Sequence, residues 1–213
     1  MSETAEKVKV FHYTPYARYT KISSSDSKPP SLIPRGQMIS VFTPENFSKS
    51  SADVICAFLE PAPPSWFRNR EFPNLGVSLM GWITRHTRAS EEMVLLSFDV
   101  GRSDEAYVVD QRGILEWESH NTNTEFDMED PSSAAKTKTM IDTFKAYWNS
   151  MVPVQQYRGE YSVPEVVIFS PIASDRLKVE LKTSARDLIN FARAERIACA
   201  TSSPSLSQKT RHS

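Results

Sequence analysis

Apolar and polar positions divide the chain into short segments of changing period. Val8-Lys9-Val10-Phe11-His12-Tyr13 is alternating to near-continuously apolar, which predicts an opening strand. Thr14-Pro15 then reads as a helix start. Thr caps well, and Pro fits the first helical position, where its missing N–H would have no partner anyway. A short helix through about Ile22 is expected, followed by a Ser- and Pro-rich loop from Ser23 to Pro34. Met38 to Thr43 predicts a second strand, ended by Pro44. Asp53 to Glu60 is a third apolar element, stopped by Pro61-Ala62-Pro63-Pro64 because proline removes a donor and fixes φ.

Gly76 to Thr84 is a further apolar run, and Met93 to Val100 a clear strand. Ala106 to Asp110 and Ile114 to Trp117 predict a hairpin around Gln111-Arg112-Gly113. The polar, acidic stretch 119–133 reads as an exposed loop. From Ala134 to Met151 the period becomes helical, with Met140, Ile141, Phe144, Tyr147, Trp148 and Met151 on one face. Glu165 to Phe169 is a strand, and Ile172 to Leu181 contains another short one. Ser184-Ala185-Arg186-Asp187 opens a last helix in a near capping-box pattern. The sum is an α+β chain, expected as one domain over 8–199, with a flexible 1–7 and a disordered tail over 200–213.

Composition narrows the function classes. The 213 residues suit one sizeable core, and 39% apolar with 24% charged residues is ordinary globular usage. Net charge is -1, whereas proteins living mainly by phosphate contacts carry a basic excess, so nucleic acid is not the first partner expected. Two cysteines make no disulfide framework, and Cys56 sits in an apolar run as a small hydrophobe. The N-terminus has no secretory pattern, and no apolar stretch approaches the roughly 18 residues that span a bilayer. The expected setting is cytoplasmic, or delivery into another cell without a Sec-type signal.

The familiar sites are missing from the sequence. No Cys-x-x-Cys or His-Glu-x-x-His spacing favours zinc, so no metal is expected. There is no Walker loop, dinucleotide fingerprint or Gly-x-Ser-x-Gly elbow, and six glycines leave little for a phosphate cradle. Two segments remain: Phe11-His12-Tyr13-Thr14, a strand ending in a histidine, and Pro164-Glu165-Val166-Val167-Ile168, a carboxylate heading an apolar strand. A Glu there is costly if turned inward without a partner, and if it faces a cleft its position aims it at a ligand.

In this order the two segments resemble ADP-ribosyltransferases of the His type, bacterial toxins and effectors among them. The resemblance runs from the His-Tyr-Thr triplet through Val41-Phe42-Thr43-Pro44 to Glu165-Val166-Val167-Ile168-Phe169-Ser170-Pro171-Ile172. It implies a split, mostly antiparallel sheet with flanking helices, and NAD as substrate. It implies NAD contacts at His12, Tyr13, Thr14, Ser40 and Phe42, with an aromatic such as Phe42 stacking on nicotinamide. Glu165 and His12 are implied as the catalytic residues, His12 contacting the nicotinamide ribose and Glu165 binding a ribose hydroxyl and stabilising the positive charge formed as nicotinamide leaves. Val163 stands where arginine-modifying members carry a second Glu, so a non-arginine protein side chain is the expected acceptor. Modification of nucleic-acid bases, and a non-catalytic binding module using the 61–73 corner, are the alternatives.

Overall fold

In the central strand of the first sheet, Met93, Val94, Leu95, Leu96, Ser97 and Phe98 are all buried, because strands cover both its edges and other elements both its faces. The computed structural model describes residues 7–23, 31–32, 54–62, 65–68, 75–84, 87–121 and 131–201. The expected strand at 38–43, with Ser40 and Phe42, lies outside the described residues.

The elements run β1 (Val8–Pro15), α1 (Tyr16–Ser23), β2 (Ser31–Leu32), β3 (Ile55–Ala57), α2 (Ser65–Arg68), α3 (Leu75–Thr84) and β4 (Glu92–Val100). They continue with β5 (Ala106–Asp110), α4 (Arg112–Asn121), α5 (Pro131–Asn149), β6 (Val152–Pro153), β7 (Pro164–Ile168), β8 (Ile172–Ala173), β9 (Lys178–Ser184) and α6 (Ala185–Thr201). Strands assemble in the orders β1-β4-β9, β2-β8 and β3-β7-β5-β6, and every pairing is antiparallel. The α+β class holds.

Among the described residues, the two larger sheets share one backbone pair, in which Phe11 and Phe58 exchange N–H···O bonds of 2.8 Å. From there the sheets part. Val10, Phe98 and Val100 of the first sheet pack on Ile55, Ala57, Val108, Val166 and Ile168 of the second, filling the space between them. The other face of the second sheet, with Val109 and Val167, is covered by Ile114 of α4 and Phe144, Tyr147 and Trp148 of α5. A third cluster gathers Trp66, Phe67, Leu75, Leu79, Met80 and Leu188 from α2, α3 and α6 around Phe58 and Met93.

Several expectations shift. Pro15 closes β1, paired with Met93, instead of opening the helix, since a strand end tolerates a residue without N–H. The apolar run from Gly76 is helical. No hairpin forms after β5. The Gln111 N–H bonds the Val163 carbonyl at 3.0 Å and ends the ladder. Asp110 Oδ1 then accepts the Arg112 N–H at 3.1 Å, and the chain turns into α4, which buries Ile114 and Leu115. Four apolar-rich residues are too few for period to separate strand from helix. Of the 119–133 stretch, residues up to Asn121 and from Pro131 onward are helical. Ser184 caps α6 as expected, its Oγ accepting the Asp187 N–H at 3.1 Å. That helix reaches Thr201, just past the expected domain end.

Candidate functional site

The site is built around β3, which has a different neighbour on each edge. On one edge the Phe11–Phe58 pair attaches β1, which brings His12 alongside. His12 Nδ1 lies 2.7 Å from the Cys56 carbonyl oxygen. A carbonyl only accepts, so Nδ1 carries the proton and, in the neutral ring, Nε2 is left as an acceptor. Burial pushes the His12 imidazole below its ordinary value, the bond to Cys56 opposes this, and the positive charge of Arg18 adds to the lowering. The ring is neutral at physiological pH.

On the other edge β3 pairs with β7 through Ile55–Ile168, Cys56–Val167 and Ala57–Val166. One step further in that register brings Glu165 opposite Phe58. Strands are spaced about 4.8 Å apart, so the His12 and Glu165 backbones stand roughly 10 Å from each other across β3. Strand alternation assigns their side chains to different faces. His12 shares the parity of Val10, which faces the other sheet, and Glu165 shares that of Val167, beneath α5.

Glu165 is 2% exposed. The Tyr147 hydroxyl of α5 donates to its Oε2 at 2.8 Å. Burial, then the Glu165 charge, hold the Tyr147 phenol well above its ordinary value, so it remains a donor across the working pH range. Gln111 of the β5–α4 junction is 1% exposed, and its Oε1 has no hydrogen-bond partner. Register puts it on the Glu165 face, two residues past Val109, the ladder partner of Glu165.

The remaining expected residues fall as follows. Tyr13 turns away from His12 and donates its hydroxyl to the Pro61 carbonyl at 2.6 Å, with burial raising its pKa to about 12. Thr14 is buried at 3% exposure. Val163 is buried in the helical cluster, giving no charge two residues before Glu165. Sequence reasoning missed Tyr147 and Gln111. The helical face around Tyr147 was legible, but its contact with Glu165, eighteen positions on, leaves no local pattern.

Among the described residues, no three or more His, Cys, Asp or Glu side chains come together as a metal site, and no helix is long and apolar enough to cross a membrane. No family model, curated protein or solved structure matches the chain.

Proposed function

We propose that the protein is an NAD-dependent mono-ADP-ribosyltransferase acting on a non-arginine side chain of a protein, in the manner of a toxin or effector. One observation supports the reading: the strands of His12 and Glu165 join the β3 segment from its two edges, where the two antiparallel sheets part, with the side chains starting on opposite faces. In this role the unprotonated Nε2 of His12 accepts a ribose hydroxyl. The C1′–nitrogen bond to nicotinamide breaks, nicotinamide leaves with the electron pair, and the Glu165 carboxylate stabilises the positive charge on the ribose. The acceptor side chain then bonds to C1′ and gives up its proton. Near-neutral net charge favours a protein acceptor over DNA.

The reading carries a requirement. Glu165 is 2% exposed and starts on the face opposite His12, so the two meet one ribose only when the layer over Glu165 opens and the β1–β3 junction rearranges, and NAD binding is coupled to that change. The same burial, with the bond from Tyr147, favours a second reading in which Glu165 is a structural polar group of a non-catalytic, protein-binding scaffold.

Nicotinamide release from NAD separates the two. Glu165→Gln preserves the side-chain volume, and should lower release by about 100-fold or more while the melting temperature stays within a few degrees. Full release by that variant removes Glu165 from the chemistry. A wild type that neither releases nicotinamide nor gains stability at millimolar NAD hands the case to the scaffold reading. Lysate protein and short DNA offered in parallel identify the acceptor class, and label confined to DNA overturns the protein assignment.

A further inference from the structure

A glutamate at the head of an apolar strand is poorly oriented by itself, because its terminal torsion is broad and roughly two-fold. Here the structure supplies an anchor. Tyr147 projects from the last turn of α5, both it and Glu165 are 2% exposed, and the hydroxyl reaches Oε2 at 2.8 Å. The ring packs edge-on against Trp148 at 5.1 Å, a contact that phenylalanine would make equally well, so the hydroxyl is the feature that packing leaves unexplained.

The end of α5 is fixed independently of that contact. The Ser150 hydroxyl donates to the Tyr147 carbonyl at 2.6 Å, and its oxygen accepts the Asp110 N–H of β5 at 2.9 Å. The Tyr161 hydroxyl donates to the Ser150 carbonyl. The backbone of Tyr147 is thereby tied to β5, the ladder partner of β7, and to the segment leading into β7, the strand that carries Glu165. Around the hydroxyl the titratable groups are Glu165 of β7 and the Cys56 thiol of β3, while β5 sets apolar Val109 opposite the glutamate.

We infer that Tyr147 is the positioning residue of the transferase site, its hydroxyl holding the Glu165 carboxylate in one orientation. The inference rests on the NAD reading above. Donation to a carboxylate favours the charged form, against the burial that disfavours it. Tyr147 touches Glu165 rather than the substrate, so its effect is on the rate of bond breaking and not on NAD affinity.

The test is Tyr147→Phe in the full chain, with nicotinamide release measured against NAD concentration and pH. The expected result is a kcat lower by about ten-fold, the worth of a hydrogen bond to a charged group, with KM for NAD changed less than about two-fold. The acid limb of kcat moves to higher pH, because the glutamate has lost a group that stabilised its anion. A tyrosine with only a structural role lowers the melting temperature and leaves that limb in place; this result overturns the inference. Should Tyr147→Phe fail to fold, Ser150→Ala loosens the tie to β5 with the tyrosine present and should move the limb the same way, an unmoved limb again being fatal. Wild-type turnover with an unaltered Tyr147→Phe profile removes the positioning role alone. Absence of wild-type turnover removes the transferase reading and this role together.

Discussion

Removing the Arg176 guanidinium should destabilise the fold by an amount that depends on pH in a defined way. Asp104 lies in the 3-10 turn Arg102–Asp104 between β4 and β5 and is 6% exposed. Arg176 Nη1 and Nη2 donate to its two carboxylate oxygens at 2.7 and 2.8 Å, and the Gly101 N–H donates to Oδ2 at 2.7 Å. Arg176 also bonds the Asp99 carbonyl, and the Ser170 hydroxyl bonds the Asp104 carbonyl. The next residue, Glu105, has φ 44°, a left-handed conformation that a side chain resists, so this staple holds a strained turn at the head of β5.

Breaking a buried pair costs about 3–5 kcal/mol and an exposed one about 0–1 kcal/mol. The Arg176 side chain is 36% exposed and that of Asp104 9%, an intermediate case, so Arg176→Gln should cost about 2 kcal/mol at pH 7. For a chain of this length that is a fall of about 4–8 °C in melting temperature. The pH dependence follows from Asp104, whose carboxyl is held below its usual value chiefly by the Arg176 hydrogen bonds, against burial and with help from the Gly101 N–H. A depressed carboxylate contributes stability that is full above the unfolded value near 4 and is lost as pH falls through the folded value. The gap between wild type and Arg176→Gln should therefore be widest at neutral pH and should close as pH drops below about 4. His12, neutral in the fold, also weakens the protein in acid, but equally in both forms, so the difference isolates Asp104. Urea unfolding at pH 7, 5 and 3 measures it. A variant within about 0.5 kcal/mol of wild type at pH 7, or a gap that does not change with pH, would refute the reasoning.

Two further substitutions test how the helices are seated. Gly76→Ala drives a methyl into the Phe67 ring, which already packs edge-on against Phe191, and should cost about 1–3 kcal/mol in urea unfolding; an unchanged midpoint would mean that Phe67 turns aside freely. Ser184→Ala removes the oxygen that accepts the Asp187 N–H and should cost about 1 kcal/mol, with faster amide exchange confined to the first turn of α6; protection there equal to wild type would deny the cap its role.

What could be read from the sequence follows the range of the interaction that determines it. β4 was legible because a strand covered on both faces writes a continuous apolar run, and α6 because its cap and first apolar face lie within a few residues. The local pattern after β5 points to a hairpin, and the segment departs from it because its fate is decided at long range, by the Gln111 N–H bonding Val163 more than fifty positions away. Pro15 fits a strand end or a helix start equally well in sequence, and only the pairing with Met93 decides between them.

The candidate site divides along the same line. Glu165 stood out because a charged residue at the head of Val166-Val167-Ile168 breaks a local rule, and the fold resolves that conflict through Tyr147. Tyr147 broke no local rule, since an aromatic on the buried face of α5 satisfies the helical pattern whether or not its hydroxyl has work to do. A residue that compensates for an anomaly is therefore harder to find by sequence than the anomaly itself. The two readings of Glu165 also part here. A tyrosine kept only to satisfy a buried carboxylate becomes dispensable once Glu165 is replaced by a neutral residue of similar shape. In Glu165→Met, Tyr147→Phe should then cost no stability, whereas in wild type it costs the full bond to a charged group, about 1.5–3 kcal/mol. That coupling belongs to the fold under either reading. A coupled loss of turnover at constant NAD affinity belongs only to a transferase.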